Sequence, residues 1–559
     1  MTLSFQEAVD QLTQPGAPFA TQTVDVAGVE TRVFEGTPPS LRAIFDSARG
    51  RGDETFLVYE DERWSFAETM RQVDALGALL VDRYGVSPGD RVAIAMRNYP
   101  EWVVSFAAIT SVGAISVSMN AWWTESELRY GIEDSGATVL IADEARARDA
   151  GAIAAERDVR LLVVRAEGEL PEGADHWSEV LPLGAPLPEV EIDPDQDATI
   201  LYTSGTTGFP KGAVSTHRAV ASALSAFACS ALVHALRFPK EGPAAATHPT
   251  SFILIVPLFH VTGAIAVMMS CFAAGYKLVM MYKWDPARAL ELIERERVTR
   301  FVGVPTQSWD LLESPDFARR DTSSLTNVGG GGAPAPPELV KRIEGSFAKG
   351  RPGIGYGMTE TNAYGPQNSG DDYLRKPLSA GRPAPTMELR VTDPDGKVLG
   401  PGEVGEIWFR GPMLIRGYWN KPEATAETLV DGWLRSGDLG TIDEEGFVFV
   451  QDRAKDMVLR GGENVYCAEV EAAIYEHPAV YEAAVFGIPH ERLGEEVSAA
   501  VLLKDGESLD ADGLRAHLAE RIAAFKIPSQ IEFRSEQLPR GATGKILKRA
   551  LRDELVGGE

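Results

Sequence analysis

The chain has 559 residues, 44% hydrophobic and 24% charged, with 54 Lys and Arg against 81 Asp and Glu, a formal net charge of −27. Its length exceeds what one hydrophobic core usually supports, so at least two domains are expected, and the negative balance argues against nucleic acid or an anionic membrane as the main partner. Three cysteines, Cys229, Cys271 and Cys467, are too few and too scattered for a disulfide framework or a zinc site.

The first residues, Met1 to Gly16, include Glu7 and Asp10 and lack a basic segment followed by an apolar core, so no secretory signal is read and a cytoplasmic protein is expected. The first third then alternates short β-rich runs with helical patterns: Arg91–Met96, Pro100–Val112, Ile115–Met119, Thr124–Asp134, Thr138–Ala142, a helix, and Arg160–Val164. Such alternation predicts parallel strands with crossover helices. The run Phe252–Tyr276 carries no formal charge over a length able to cross a bilayer. Pro257, His260, Thr262 and Gly263 interrupt it, which favours a strand (252–256), a loop (257–263), a helix (264–274) and a strand (277–281), with no integral membrane segment. The α/β rhythm returns at Ala287–Arg297, Arg300–Val304 and Pro336–Glu344. From about Leu389 the texture is β-rich (Leu389–Thr392, Gly405–Arg410, Phe447–Gln451) and broken by Gly, Pro and Asp turns. A compact charged module follows, with strands at Ala483–Phe486 and Ser498–Leu503 and a helix at Asp510–Ala523. The fold class expected is α/β: a large N-terminal domain over residues 1–454, made of two layered α/β subdomains and a small β-rich subdomain, then a small α+β C-terminal domain over 455–559.

The densest chemistry is in Tyr202-Thr-Ser-Gly-Thr-Thr-Gly-Phe-Pro-Lys211-Gly. Closely spaced glycines let backbone N–H groups approach an anion, the hydroxyls add donors, and Lys211 adds a mobile charge, the ingredients of a phosphate cradle. It is not a Walker A loop, since no Gly-Lys pair precedes Ser or Thr at the required spacing. A plain polar turn is the competing reading. Gly329-Gly-Gly-Gly-Ala333-Pro334 offers a flat backbone surface, and Tyr356-Gly-Met-Thr359-Glu360 places an aromatic face, a hydroxyl and a carboxylate together, suited to a purine and to Mg²⁺ bound with phosphates.

With these segments the sequence resembles the acyl-adenylate-forming superfamily of acyl-CoA synthetases, firefly-type luciferases and nonribosomal peptide adenylation domains. Five motifs carry the resemblance, in the family's order: Tyr202–Gly212, Tyr356–Glu360, Trp433–Asp438, Asp452–Asp456 through Gly461–Asn464, and Pro539–Lys545. The resemblance implies an enzyme that activates a carboxylic acid with ATP and passes the acyl group to coenzyme A. It implies that Thr203, Ser204, Gly205, Thr206, Thr207, Gly208 and Lys211 bind pyrophosphate, and that Gly331, Gly332, Ala333, Pro334, Tyr356 and Gly357 flank adenine. Thr359 would contact the α-phosphate, Glu360 would coordinate Mg²⁺, and Asp438 and Arg453 would hold the ribose. Lys545 would be the catalytic lysine, bridging the carboxylate and the α-phosphate. Lys455 would be the hinge about which the C-terminal domain swings to present Gly461, Gly462 and their neighbours. The chain departs from many relatives at Cys467, where proline is usual, with an effect expected on stiffness and not on chemistry.

His260, in Pro257-Leu-Phe-His-Val-Thr-Gly263, resembles the family residue that borders the acyl carboxylate; a packed loop histidine is the alternative. The segments Phe301–Trp309, Gly329–Gly332 and Gly355–Tyr364 contain no basic residue, and Val302, Val304 and Trp309 would give apolar walls, so a hydrophobic monocarboxylic acid is expected, fatty acids before aryl acids. Lys548, Arg549 and Arg552 could meet coenzyme A phosphates or form a solvated helix face. A separate carrier protein as acceptor and a catalytically silent nucleotide-binding protein are the competing functions. The sequence leaves the oligomeric state and the identity of the acid open.

Overall fold

The computed structural model describes residues 3–203, 210–239 and 248–557. Among these, two eight-stranded sheets organise the N-terminal part. The first is built round the parallel strands Ile115–Ser118, Arg91–Ala95, Val139–Asp143 and Arg160–Val164, extended by the antiparallel hairpin Asp197–Thr203 and Lys211–Thr216. The second orders Arg351–Gly355, Asn327–Gly331, Arg300–Gly303, Ser251–Leu254, Lys277–Met280 and Thr55–Tyr59, all parallel, with antiparallel edges. Helix Pro100–Ser111 is buried at every residue and belongs with both sheets to one apolar core. A helix apolar all round belongs between layers, not on a surface.

The uncharged stretch folds as a strand at Ser251–Leu254, a loop, helical turns over Thr262–Ala274 and a strand at Lys277–Met280. Its helix begins two residues earlier than the pattern predicts, and its first eight residues are wound as a π-helix, a geometry frequent at functional sites. Among the described residues, His217–Arg237 is long and apolar enough to span a membrane. It is instead a packed helix, capped where Thr216 Oγ1 accepts the Ala219 N–H at 3.1 Å, with Ala219–Leu224, Ala226, Cys229 and Val233 buried.

Strands Glu388–Thr392, Gly405–Arg410, Leu429–Val430, Trp433–Ile442 and Val448–Arg453 form a third sheet. It ends at Arg453. After a turn, Val458 opens a fourth sheet, whose centre is the long hairpin Val480–His490 and Gly494–Leu503. The helix expected to Ala523 stops at Ala519. The chain breaks there and turns extended at Ala523, so that Ile522, Phe525 and Ile527 reach the same core as Leu514 and Leu518.

Candidate active site

The cleft lies at the carboxyl ends of the second sheet's parallel strands, where open α/β sheets bind ligands. Three neighbouring strands end there in glycine, with Gly303 paired to Gly330 and Gly331 to Gly355. A Cβ on Gly331 would lie 2.8 Å from the Gly355 carbonyl oxygen, so the wall is bare backbone. Gly332 follows with φ +79°, and a Cβ there would lie 2.9 Å from Lys545 Cε. Glycine at this point leaves room for a side chain from the far end of the sequence. Ala333 and Pro334 continue the same wall.

Lys545 comes from a braced loop. Gly544, at φ +82°, turns the chain; the Gly541 N–H donates to the Lys545 carbonyl at 2.9 Å, and Arg540 Nη1 to the Gly544 carbonyl at 3.3 Å. Arg540 is itself fixed by the buried Glu482. Thr306 Oγ1, 238 residues earlier in the chain, reaches the Gly544 carbonyl at 3.5 Å, and Tyr481 donates to Asp310 at 2.8 Å. Burial, with Arg453 adding to it and Asp438 opposing, pulls the Lys545 ammonium down to about 8. The lysine is poised for an anion that the protein itself does not supply in full.

Asp438 is 5% exposed. Tyr356 donates to its Oδ2 at 2.6 Å, and Arg453, opposite it in the strand register, approaches Oδ1 at 3.3 Å. Burial raises the Asp438 carboxyl above its usual range, against the pull of Arg453 and Tyr356. Gly357 lies where a Cβ would stand 2.4 Å from the Ala363 carbonyl oxygen. Between them Thr359–Thr361 forms one 3₁₀ turn, closed by Asn362 at φ +52° and Ala363 at φ +63°. An alanine in the left-handed region costs about 1–2 kcal/mol, and it is held there as Asn362 donates to the Met413 carbonyl at 2.9 Å and Ile415 N–H to the Glu360 carbonyl at 3.0 Å. The turn projects Glu360, whose Oε1 accepts from Tyr418 at 2.7 Å.

Lys211 sits at the hairpin mouth, paired with Thr203, whose Oγ1 donates to the Lys211 carbonyl at 3.3 Å; its ammonium lies 4.8 Å from the Tyr418 ring centre. The loop residues Ser204, Gly205, Thr206, Thr207 and Gly208 lie outside the described residues. His260 borders the cleft beside Lys545. Its Nδ1 accepts the Thr262 N–H at 3.3 Å, which leaves the proton of the neutral ring on Nε2. Burial, reinforced by Lys545, pushes the imidazole down to about 3, so it is neutral at physiological pH.

Of the remaining expected residues, Lys455, Lys548 and Arg549 also border the cleft, while Gly461, Gly462, Cys467 and Arg552 do not. Lys455 is exposed in the turn between the third and fourth sheets. Gly461 and Gly462, at φ +59° and +92°, form the tip of a hairpin in the fourth sheet and are not among the residues lining the cleft. Cys467 is buried, its thiol donating to the Asp456 carbonyl at 3.1 Å and held far from ionisation by burial. Of the basic residues considered for coenzyme A, Lys548 is paired with Glu471 at 2.7 Å, whereas Arg549 is 81% exposed at 3.8 Å from Asp553 and Arg552 lies 3.6 Å from Glu495.

Two functional candidates escaped the sequence. Tyr418 lies 58 residues beyond Glu360 and meets it through the strand Gly417–Tyr418, which joins the first sheet beside Lys211–Thr216. Arg300 and Arg351, just outside the segments read as free of basic residues, also line the cleft.

The family model described as AMP-binding enzyme matches residues 44–419, and that described as AMP-binding enzyme C-terminal domain matches 469–545. A long-chain-fatty-acid–CoA ligase of Bacillus subtilis is 34% identical over 539 residues, covering 91% of this chain and 93% of that one. A feruloyl-CoA synthase of an Amycolatopsis species is 38% identical over 489 residues, covering 87% and 93%. Among solved structures, ATP-bound MatB from Rhodopseudomonas palustris superposes with a TM-score of 0.80 at 31% identity, covering 92% of this chain and 98% of that one.

Proposed function

From the premise that this chain belongs to the AMP-binding enzyme family and is an adenylate-forming synthetase of the acyl-CoA type, we propose that it joins an acid with a largely apolar body to coenzyme A. The acid is first activated by ATP as an acyl-adenylate. The observation that carries the reading is the insertion of Lys545 between Gly332, His260 and the Asp438–Arg453 pair.

In this reading ATP lies with adenine between the Gly331–Pro334 backbone and Tyr356–Gly357, its ribose on Asp438 and Arg453, and its outer phosphates at the Thr203–Lys211 hairpin. Thr359 donates to the α-phosphate. Neutral His260 donates from Nε2 to one carboxylate oxygen of the acid, fixing the other for attack on the α-phosphorus. Lys545 neutralises charge as it accumulates on both reactants, and the barrier falls because the ammonium is already in place. The new bond joins the carboxylate oxygen to phosphorus, and the bond to pyrophosphate breaks. Coenzyme A thiol then attacks the acyl carbon and expels AMP.

Mg²⁺ with nucleotide phosphates is characteristically held by one or two carboxylates. Among the described residues no group of three His, Cys, Asp or Glu could hold a metal by itself, and Glu360, oriented by Tyr418, fits the lesser demand. The ion would offset phosphate charge. Glu360→Gln is expected to raise the Mg²⁺ concentration for half-maximal adenylation by about tenfold or more, one lost charge-assisted contact; an unchanged Mg²⁺ dependence would remove Glu360 from that role.

We assign residues 1–454 and 455–559 to separate domains, turning about Lys455. The Lys545 insertion is then the adenylating arrangement, and a rotation would bring the Gly461–Gly462 hairpin to the cleft for thioester formation. A cytoplasmic location suits the soluble co-substrates.

The test measures AMP, pyrophosphate and acyl-CoA over saturated fatty acids and benzoic or cinnamic acids, with and without coenzyme A. Acyl-CoA and AMP formed together support the ligase, and the rate profile separates alkyl from aryl acids. Pyrophosphate with retained acyl-adenylate and no thioester would point to a carrier protein instead.

A further inference from the structure

The sheet face under the proposed acid site changes character in rows. Nearest Lys545, Gly331 and Gly355 stand side by side. Two residues back along the same strands the row is Val302, Gly329 and Gly353; two further back it is Arg300, Asn327 and Arg351. All of these line the cleft. In the middle row the glycines make room for the Asn327 amide, whose Oδ1 would lie 2.9 Å from a Cβ on Gly329 and whose Nδ2 would lie 3.1 Å from one on Gly353. At about 3.3 Å per residue in a parallel strand, the far row lies about 13 Å from the near one, and it is polar where a site for a plain hydrocarbon tail would be apolar.

Arg351 is held by Glu344. Arg300 is different. Its guanidinium rests 5.8 Å from the Phe252 ring centre, and Phe252 stacks with Tyr276 at 6.1 Å. Its Nε is buried with no hydrogen-bond partner. The ionisable groups acting on it are Tyr276 and Cys271, neither of them a carboxylate, and burial lowers it from the ordinary arginine value. A guanidinium whose Nε is buried and which has no carboxylate beside it is costly to the folded state unless a ligand completes it. Its planar fork matches the two oxygens of a carboxylate.

We propose that Arg300, with the Asn327 amide beside it, is a specificity-determining subsite for a second acceptor oxygen, a carboxylate or a carbonyl, at the far end of the acid. This rests on the proposed acid-activating function and narrows its substrate class from plain fatty acids to acids with an apolar middle and an oxygenated tail.

The test uses the full chain and three matched series of about eight to sixteen carbons, the lengths a span of about 13 Å brings into range: plain monocarboxylic acids, α,ω-dicarboxylic acids and ω-oxo acids. Binding is measured by calorimetry in the presence of a non-hydrolysable ATP analogue, and turnover separately as acyl-CoA formed. At the best length, wild type is expected to bind the dicarboxylic or oxo acid about 10- to 100-fold more tightly than its plain counterpart, the worth of a charge-assisted hydrogen bond. The stronger of the two arms names the group. Arg300→Met should abolish that preference through KM with little change in kcat, and Arg300→Lys should keep part of it. Equal binding of all three series by wild type at every length, or a preference that survives Arg300→Met, would overturn the proposal. If Arg300→Met fails to fold, the wild-type comparison decides by itself. Selective binding without acyl-CoA would sustain the subsite and sink the ligase reading; turnover of plain acids without selective binding would do the reverse.

Discussion

Replacing Lys545 by alanine should lower the ATP- and acid-dependent half-reaction by about 10²–10⁴-fold, the value of removing a preorganised charge from a developing transition state. Thiolysis of supplied acyl-adenylate should change only a few-fold, because by then the α-phosphate is already substituted and the ammonium no longer has two anions to bridge. Stopped-flow measurement of pyrophosphate release, set beside acyl-CoA formation from preformed adenylate, separates the two. Equal losses in both would mean that Lys545 holds the domains together and does not act on the first step. The pH dependence follows from the same group. The free amine titrates near 8, and the charged form exists below that value, so kcat/KM for adenylation should be flat below pH 8 and fall above it. Bound ATP stabilises the ammonium, so the limb in kcat should lie at higher pH. Both limbs should vanish in Lys545→Ala.

Asp438→Ala should cost about 10- to 100-fold in kcat/KM for ATP, since hydrogen bonds to a charged group contribute about 1.5–3 kcal/mol and the proposed ribose contact is made by one buried carboxylate. It should also destabilise the protein. Arg453 is 56% exposed and rehydrates cheaply. The Tyr356 hydroxyl is buried and loses its acceptor, a penalty of about 1–3 kcal/mol. Asp438→Asn separates the two effects: the amide oxygen still accepts from Tyr356, so the melting temperature should recover while much of the kcat/KM loss remains. Parallel recovery of both quantities would mean that Asp438 serves the fold and not the nucleotide. Calorimetric melting and steady-state kinetics on the two variants read this directly.

The sequence made the α/β layering legible because strands such as Arg160–Val164 and Gly405–Arg410 declare themselves by apolar runs between turn residues. Glycine clusters marked the cleft because only residues without a Cβ let adjacent strand ends form a flat wall. What stayed hidden depends on pairings across long stretches of chain. Nothing near Gly417–Tyr418 announces that this two-residue strand joins the first sheet and turns a phenol onto Glu360. Arg300 opens a strand, a position that ordinarily reads as a solvated end. Only the register that sets it beside Asn327 makes it part of the cleft wall. Lys548 shows the converse: a basic residue that looked available for phosphates is committed to Glu471, seventy-seven residues back.

In the proposed reaction the carboxylate itself attacks the α-phosphorus of ATP. Supplying an acid whose carboxylate carries ¹⁸O, with ATP, Mg²⁺ and coenzyme A, and analysing the nucleotide product by mass spectrometry tests it most directly. AMP carrying a single ¹⁸O is expected, the label being the acyl–phosphate oxygen left behind when the thiol takes the acyl group. Unlabelled AMP, or label appearing in inorganic phosphate alongside ADP, would contradict it.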